Sequence, residues 1–165
     1  MDWWLEPVKK ISEVSRETAL LRQQQLTKPV GSLGVLEALA VQFGWQGNEA
    51  PEIKHIDICV FVGDHGVVAE GVSAFPQAVT VEMIKNFSRG GAAISVLARQ
   101  CEANFNVVNM GTVVAPPTHE TVVNLQLMEG TNNFCQMPAM DQDTVRRALA
   151  GGAAQITASA DLFVG

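Results

Sequence analysis

The sequence contains no tyrosine, three cysteines, three histidines and no apolar run approaching the ~18 residues that a bilayer crossing requires. A membrane span is thereby excluded from the reading. Cys59, Cys101 and Cys135 lie far apart, are odd in number and form no CxxC pair, which fits reduced thiols packed in a core better than a disulfide frame or a zinc site. Only 17% of residues are charged, and 11 basic residues stand against 17 acidic ones for a net charge of −6. That balance argues against nucleic acid or an acidic membrane as partner, because phosphate-backbone affinity needs a positive surface. The bases are scattered and tyrosine is missing, so no basic stripe interleaved with aromatics exists. The opening segment MDWWLEPVKK has two acidic residues and no apolar centre flanked by small residues, so it does not read as a secretory signal, and a cytoplasmic location follows.

What is present suits a globular domain: 165 residues, 47% of them hydrophobic, are enough for one core. Residues 7–26 carry Val8, Ile11, Val14, Ala19 and Leu21 among charged and polar neighbours, with Pro7 suited to a first turn, and predict an amphipathic helix. LTKPVGSLG then breaks the pattern, and Ser32 offers a cap for a second helix through Leu33, Leu36, Ala40 and Phe43. After a polar connector, Ile56–Val62 is a short, nearly continuous apolar run, as in strands buried on both faces of a parallel sheet.

Pro76 opens a segment with Val79, Met83 and Phe87 at four-residue spacing, which puts them on one helix face. Arg89-Gly90-Gly91 ends it, and a helix through Ile94, Leu97 and Ala98 leads to a second strand, Phe105–Met110. Pro116–Glu120 reads as a turn, Thr121–Leu127 as a third strand, and Asp141 as the cap of a helix through Val145, Leu149, Gly152 and Ile156. A final apolar run, Asp161–Gly165, begins a fourth strand without a returning helix. Alternating strands and helices imply an α/β fold with a parallel sheet and helices on both faces. The division expected is a helical segment over 1–50 and the first half of an α/β domain over 51–165. Leu162, Phe163 and Val164 would then form a bare sheet edge, which predicts self-association.

Chemistry is concentrated in FVGDHGVVAEGV. In parallel α/β sheets ligands bind beyond the carboxyl ends of the strands, and this stretch delivers Asp64 and His65 to such an end. Gly63 and Gly66 would let backbone approach a ligand or take positive φ; alternatively, Asp64 simply caps turn amides. Arg89-Gly90-Gly91 before a helix would present a guanidinium and amides to a phosphate, or form a tight interhelical turn. It matches neither GxxxxGK[ST] nor GxGxxG. Phe75 and Met83, eight residues apart, would wall a slot for a flat ring, or pack in the core. No set of closely spaced His, Cys or Glu suggests a metal.

Four stretches, LTKPVGSLGVLEALAVQ, FVGDHGVVAEGVSAFPQAVT, NFSRGGAAISVLARQ and the MPAM of Met137–Met140, resemble in that order the N-terminal half of the nicotinate-nucleotide:dimethylbenzimidazole phosphoribosyltransferase family, which builds the lower-ligand nucleotide of cobalamin. The resemblance implies a three-layer Rossmann-like fold with a smaller helical domain, a homodimer, no cofactor, and two substrates, nicotinate mononucleotide and 5,6-dimethylbenzimidazole. It implies that Phe75 and Met83 line the base pocket, where some relatives hold polar residues, and that apolar groups at both positions admit less polar rings, phenolic as well as benzimidazole. Asp64 and His65 would stand beside that slot as orienting elements, with Arg89, Gly90 and Gly91 as phosphate or loop contacts. The family's catalytic glutamates and main phosphate loops would lie beyond Gly165. No catalytic residue is therefore assigned within the chain, which is expected to be inactive alone; the other reading is a non-catalytic fragment that binds an aromatic base or oligomerises.

Overall fold

The computed structural model describes residues 5–8, 10–46 and 52–165. The chain divides into two compact units, Met1–Glu52 and Ile53–Gly165.

The first unit is a helical pair. Helix α1 (Glu13–Gln25) begins where the Ser12 hydroxyl accepts the Ser15 N–H at 3.2 Å. Pro7 therefore lies outside the helix expected to start with it, because Ser12 supplies the cap and also donates its N–H to the Trp45 carbonyl at 3.0 Å. Helix α2 (Val35–Trp45) is entered through Gly34 and not capped by Ser32, whose N–H is spent on the Pro29 carbonyl inside the preceding turn. The helices touch at Gly44, where an added Cβ would lie 2.6 Å from that of Ala19. The Arg16 guanidinium stands 5.0 Å from the centre of the Trp45 ring, a cation–π distance. Between the helices Lys28 pairs with Glu37 at 2.7 Å, and this bond, with the Leu33 N–H, holds the Glu37 carboxyl below its ordinary range.

The second unit is an α/β fold built on a four-stranded parallel sheet. The strands are β1 (Ile56–Gly63), β2 (Asn104–Gly111), β3 (Val122–Asn124) and β4 (Leu162–Val164), in spatial order β3-β2-β1-β4. Helices α3 (Ala78–Ser88) and α4 (Ala93–Gln100) link β1 to β2, and α5 (Gln142–Ala153) links β3 to β4. These crossovers run in opposite directions across the sheet, and right-handed connections then put α3 and α4 on one face and α5 on the other. The order reverses at β1, so its carboxyl end lies at the switch point where such sheets open a crevice.

Several element limits differ from those the periodicity predicts. β3 is shorter than Thr121–Leu127 because the Leu125 and Gln126 N–H groups both turn to the Asn109 carbonyl and Gln126 takes a φ of +41°. β1 is buried on both faces only over Asp57–Cys59; β4 pairs with Ile56–Ile58 alone, leaving Phe61 exposed. On α3 the core side is Val81 and Ile84, while Val79 and Met83 face outward. In α4 the buried residues are Ser95 and Ala98, and Leu97 is exposed. Asp141 caps α5 as expected, accepting the Thr144 N–H at 2.7 Å, but the helix stops at Ala153 and Ile156 lies beyond it, exposed. Of the three thiols only Cys59 is in the core, where burial first and Asp57 second push its pKa up; Cys101 ends α4 and Cys135 sits in a loop, and both are exposed, contrary to the core packing expected of them.

Helix α3 ends in a Schellman turn. The Gly91 N–H reaches back to Asn86 O and the Gly90 N–H to Phe87 O, both at 3.0 Å, with Gly90 at φ +76°. Arg89-Gly90-Gly91 is thus the stop signal of α3.

Beside the apolar centre, Val81, Ile84, Val107 and Val108, stand buried polar groups, Asn109 and Asp57 among them. Asn109 donates to Asn124 Oδ1 and Gln126 Oε1, both at 2.8 Å, and so fastens β3 to β2 by side chains where the ladder is short. Asp57, 6% exposed, accepts from Thr157 Oγ1 at 2.6 Å and Asn104 Nδ2 at 2.8 Å. Those two bonds, Thr157 first, hold its carboxyl below the usual range.

Replacing Thr157 by Val strips one donor from this buried carboxylate and is expected to lower the unfolding free energy by about 1–3 kcal/mol in urea titrations at neutral pH. The folded pKa of Asp57 lies below its unfolded value, about 3.9, so the contribution is complete above that value and disappears as pH falls through the folded one. The gap between wild type and Thr157→Val should therefore narrow on acidification, and a gap independent of pH would exclude Asp57 as the source. Gly90→Ala, which forces a side chain into left-handed backbone, is expected to cost about 1–2 kcal/mol by the same titration.

Candidate functional site

The tip of β1 is fixed by backbone before any side chain acts. The Asp64 N–H donates to Gly111 O at 2.9 Å, and the Asp64 carbonyl accepts the Thr131 N–H at 2.8 Å. Its carboxylate, on a residue 3% exposed, accepts the Val113 N–H at Oδ2, 2.9 Å. Asp64 thus caps a turn amide, one of the two uses its sequence position allows. His65 is exposed; its Nδ1 shares a hydrogen bond of 3.2 Å with Thr131 Oγ1, and its carbonyl accepts the Gln77 side-chain amide at 3.3 Å. Neither Gly63 nor Gly66 adopts positive φ. Gly66 serves a close approach of chain to chain: an added Cβ would lie 2.6 Å from Thr131 O and Asn133 N, so the segment after Gly130 can lie against it only because it has no side chain.

A cavity of about 410 Å³ opens beside this tip, on the α3 side. Val62, Gly63, Asp64 and His65 form one wall, Val67, Val68 and Val72 another, and Phe75, Val79, Thr80 and Met83 a third. The outward side of α3 is therefore the cavity wall, which accounts for the exposure of Met83, 37%, and of Phe75, 69%, just before the helix. Phe75 is held by Ser73, whose hydroxyl donates to the Phe75 carbonyl at 2.9 Å and accepts its N–H at 3.2 Å. Gln77 ties the start of α3 to β1 through the His65 carbonyl. The structure brings Asp64, His65, Phe75 and Met83 around one space. Arg89, Gly90 and Gly91 are not part of its lining; they close the far end of α3.

A second cavity, about 290 Å³, lies on the α5 side of the same tip, between Phe61, Met110, Leu127, Met128 and Met140. Val62, Gly63, Asp64 and His65 border both spaces. Sequence reasoning passed over Ser73, Gln77 and Thr131, which position the named residues. A serine two residues before the Phe75-Pro76 pair was the available signal for the first of these. Among the described residues, no group of three or more His, Cys, Asp or Glu could hold a metal ion, and no helix is long and apolar enough to cross a membrane.

Comparison with known proteins assigns this arrangement to a family. A family model described as phosphoribosyltransferase matches residues 8–164. The nicotinate-nucleotide–dimethylbenzimidazole phosphoribosyltransferase of a Pseudomonas fluorescens strain is 54% identical over 168 residues, covering 99% of this chain and 48% of that protein. The enzyme of the same name from Pseudomonas putida is 49% identical over 168 residues, with the same coverage of both. The crystal structure of CobT from Thermus thermophilus superposes with a TM-score of 0.78 at 42% identity, covering 86% of this chain and 43% of that one. The chain spans about half the length of the curated relatives it matches. With the family model spanning nearly the whole sequence and relatives at about half identity, the chain belongs to the nicotinate-nucleotide–dimethylbenzimidazole phosphoribosyltransferase family.

Proposed function

We propose that this chain forms the aromatic-base side of an enzyme that moves the phosphoribosyl group of nicotinate mononucleotide onto 5,6-dimethylbenzimidazole in cobalamin biosynthesis. In that reaction the glycosidic bond to nicotinate breaks, nicotinate leaving with the electron pair. An imidazole nitrogen bonds to the anomeric carbon with inversion, and the imidazole proton is released to a base. The products are nicotinate and α-ribazole 5′-phosphate.

The observation that carries this reading is the cavity at the end of β1, walled by Phe75, Val79 and Met83 in a chain of this family. A flat bicyclic ring needs an apolar slot with few polar groups, and a space of about 410 Å³ is ample for one. Phe75 and Met83 are assigned to grip its faces and edges, and Asp64 and His65 to set the wall against which it rests. The phosphate cradle and the catalytic carboxylates are assigned to the half of the relatives that this chain does not span. Arg89, Gly90 and Gly91 have no place in the base slot, and their Schellman geometry supports a structural role. Self-association is part of the proposal, as the family resemblance implies.

On this reading residues 1–165 supply base binding, and turnover needs the remainder of the family's length as well. Incubation of the 165-residue protein with nicotinate mononucleotide and dimethylbenzimidazole, followed by chromatography of nicotinate and α-ribazole phosphate, is expected to show no product while titration shows stoichiometric base binding. Turnover would place a base within this chain and overturn the assignment of catalysis elsewhere; absence of base binding would overturn the slot. Phe75→Ser combined with Met83→Gln is expected to shift preference toward more polar bases by about tenfold, the scale of one or two apolar contacts exchanged for polar ones. Unchanged relative affinities would remove Phe75 and Met83 from the site.

A further inference from the structure

The cavity on the α3 side is lined mostly by valines, Phe75, Pro76 and Met83, and its five polar side chains are unequally engaged. Asp64 accepts the Val113 N–H, His65 Nδ1 is bonded to Thr131, Ser73 both donates to and accepts from Phe75, and Gln77 donates to the His65 carbonyl. Thr80 is different. Its N–H bonds to the Gln77 carbonyl at 2.9 Å, but its hydroxyl bonds to no described group. A threonine in a helix has the carbonyl four residues back as its local outlet, and Thr18 uses it, donating to Val14 O at 3.0 Å. In α3 that carbonyl belongs to Pro76 and takes the Val79 N–H at 3.0 Å instead.

The position of this uncommitted hydroxyl gives it a use. Thr80 is half-buried and precedes Met83 by three residues, so the two share a face of α3, and the Phe75-Pro76 pair lies just ahead of them. A flat ring gripped by Phe75 and Met83 therefore passes beside Thr80. An entirely apolar wall would reject a ring bearing a hydroxyl, because that group would surrender its water and gain no partner. We propose that Thr80 is a specificity-determining residue of the slot: its hydroxyl bonds a polar substituent on the ring, so the cavity takes hydroxyl-bearing bases that the apolar lining would otherwise exclude. This deepens the base-slot reading and rests on it. A hydroxyl suits the task because it both donates and accepts and rotates to meet its partner. Beside a methyl-bearing ring the half-buried Thr80 keeps its water, so dimethylbenzimidazole is still accepted.

The test is a pair of titrations of the 165-residue protein, with 5-hydroxybenzimidazole and with 5-methylbenzimidazole, in which hydroxyl replaces methyl at nearly constant size. The quantity read is the ratio of the two affinities. Thr80→Val, which exchanges the hydroxyl for a methyl, is expected to shift that ratio about fivefold against the hydroxyl-bearing ring, the scale of one net hydrogen bond. Thr80→Ser, which keeps the hydroxyl, is expected to keep the wild-type ratio. Thr80→Ala, with its stronger helix propensity, gives the same reading if circular dichroism shows the valine variant unfolded. A ratio unchanged in a folded Thr80→Val or Thr80→Ala overturns the inference while leaving the slot intact, as does a Thr80→Ser whose ratio falls with theirs. Wild type that takes the methyl-bearing ring and excludes the hydroxyl-bearing one also overturns it, whatever the variants do. Binding of neither ring by wild type overturns the slot and the inference together.

Discussion

At the carboxyl end of β1 one aspartate fastens three stretches of chain. Asp64 joins the exit of β2 through the Gly111 carbonyl, the following loop through the Val113 amide, and the segment after Gly130 through the Thr131 amide. Without these bonds the loops that leave the sheet would have no common reference, because β3 contributes only three residues to the ladder and the connection from β2 to β3 contains no helix. Both cavities take their shared wall from the same four residues, so their geometry is inherited from this junction. The Gly66 backbone completes it by admitting the 131–133 segment at a distance no side chain would allow.

Away from the tip the sheet is also held by directional polar pairs, two of them centred on the buried Asp57 and Asn109. Asp57 binds Asn104 across the β1–β2 pair and Thr157 ahead of β4. Asp161 accepts the Lys54 and His55 backbone amides at 2.8 and 2.9 Å, bonds that hold its carboxyl below the usual range and set the start of β4 against the start of β1. Asn109 does the same for β3. Each is satisfied, and each is directional, so strand positions are specified by hydrogen-bond geometry as well as by apolar burial.

The order of strands and helices was legible because each has its own hydrophobic period, and the strand-end placement of Asp64 and His65 followed from the abrupt end of an apolar run at two glycines. What was not legible has a common cause. Ser12, not Pro7, starts α1, and Gly34, not Ser32, precedes α2, because a cap is chosen by where the chain turns and several residues in a row qualify. The spacing of Val79, Met83 and Phe87 marks a helix face without saying whether core or cavity lies opposite, and Val81 with Ile84 took the core. The buried Asp57 was hidden inside an apolar run, since its partners Asn104 and Thr157 are 47 and 100 residues away. For Phe75 and Met83 the residues alone left a ring slot and core packing both open, and it was the family resemblance that favoured the slot proposed above.

The two sides of α3 carry separate duties. Val81 and Ile84 support the sheet, whereas Val79, Thr80 and Met83 shape the cavity, and Phe75 stands on a serine-stabilised turn outside the helix altogether. Because no residue serves both sides, the lining is free to drift in sequence while the foundation stays constant. Single substitutions along that side therefore change the shape and polarity of the cavity without touching the packing that holds the fold.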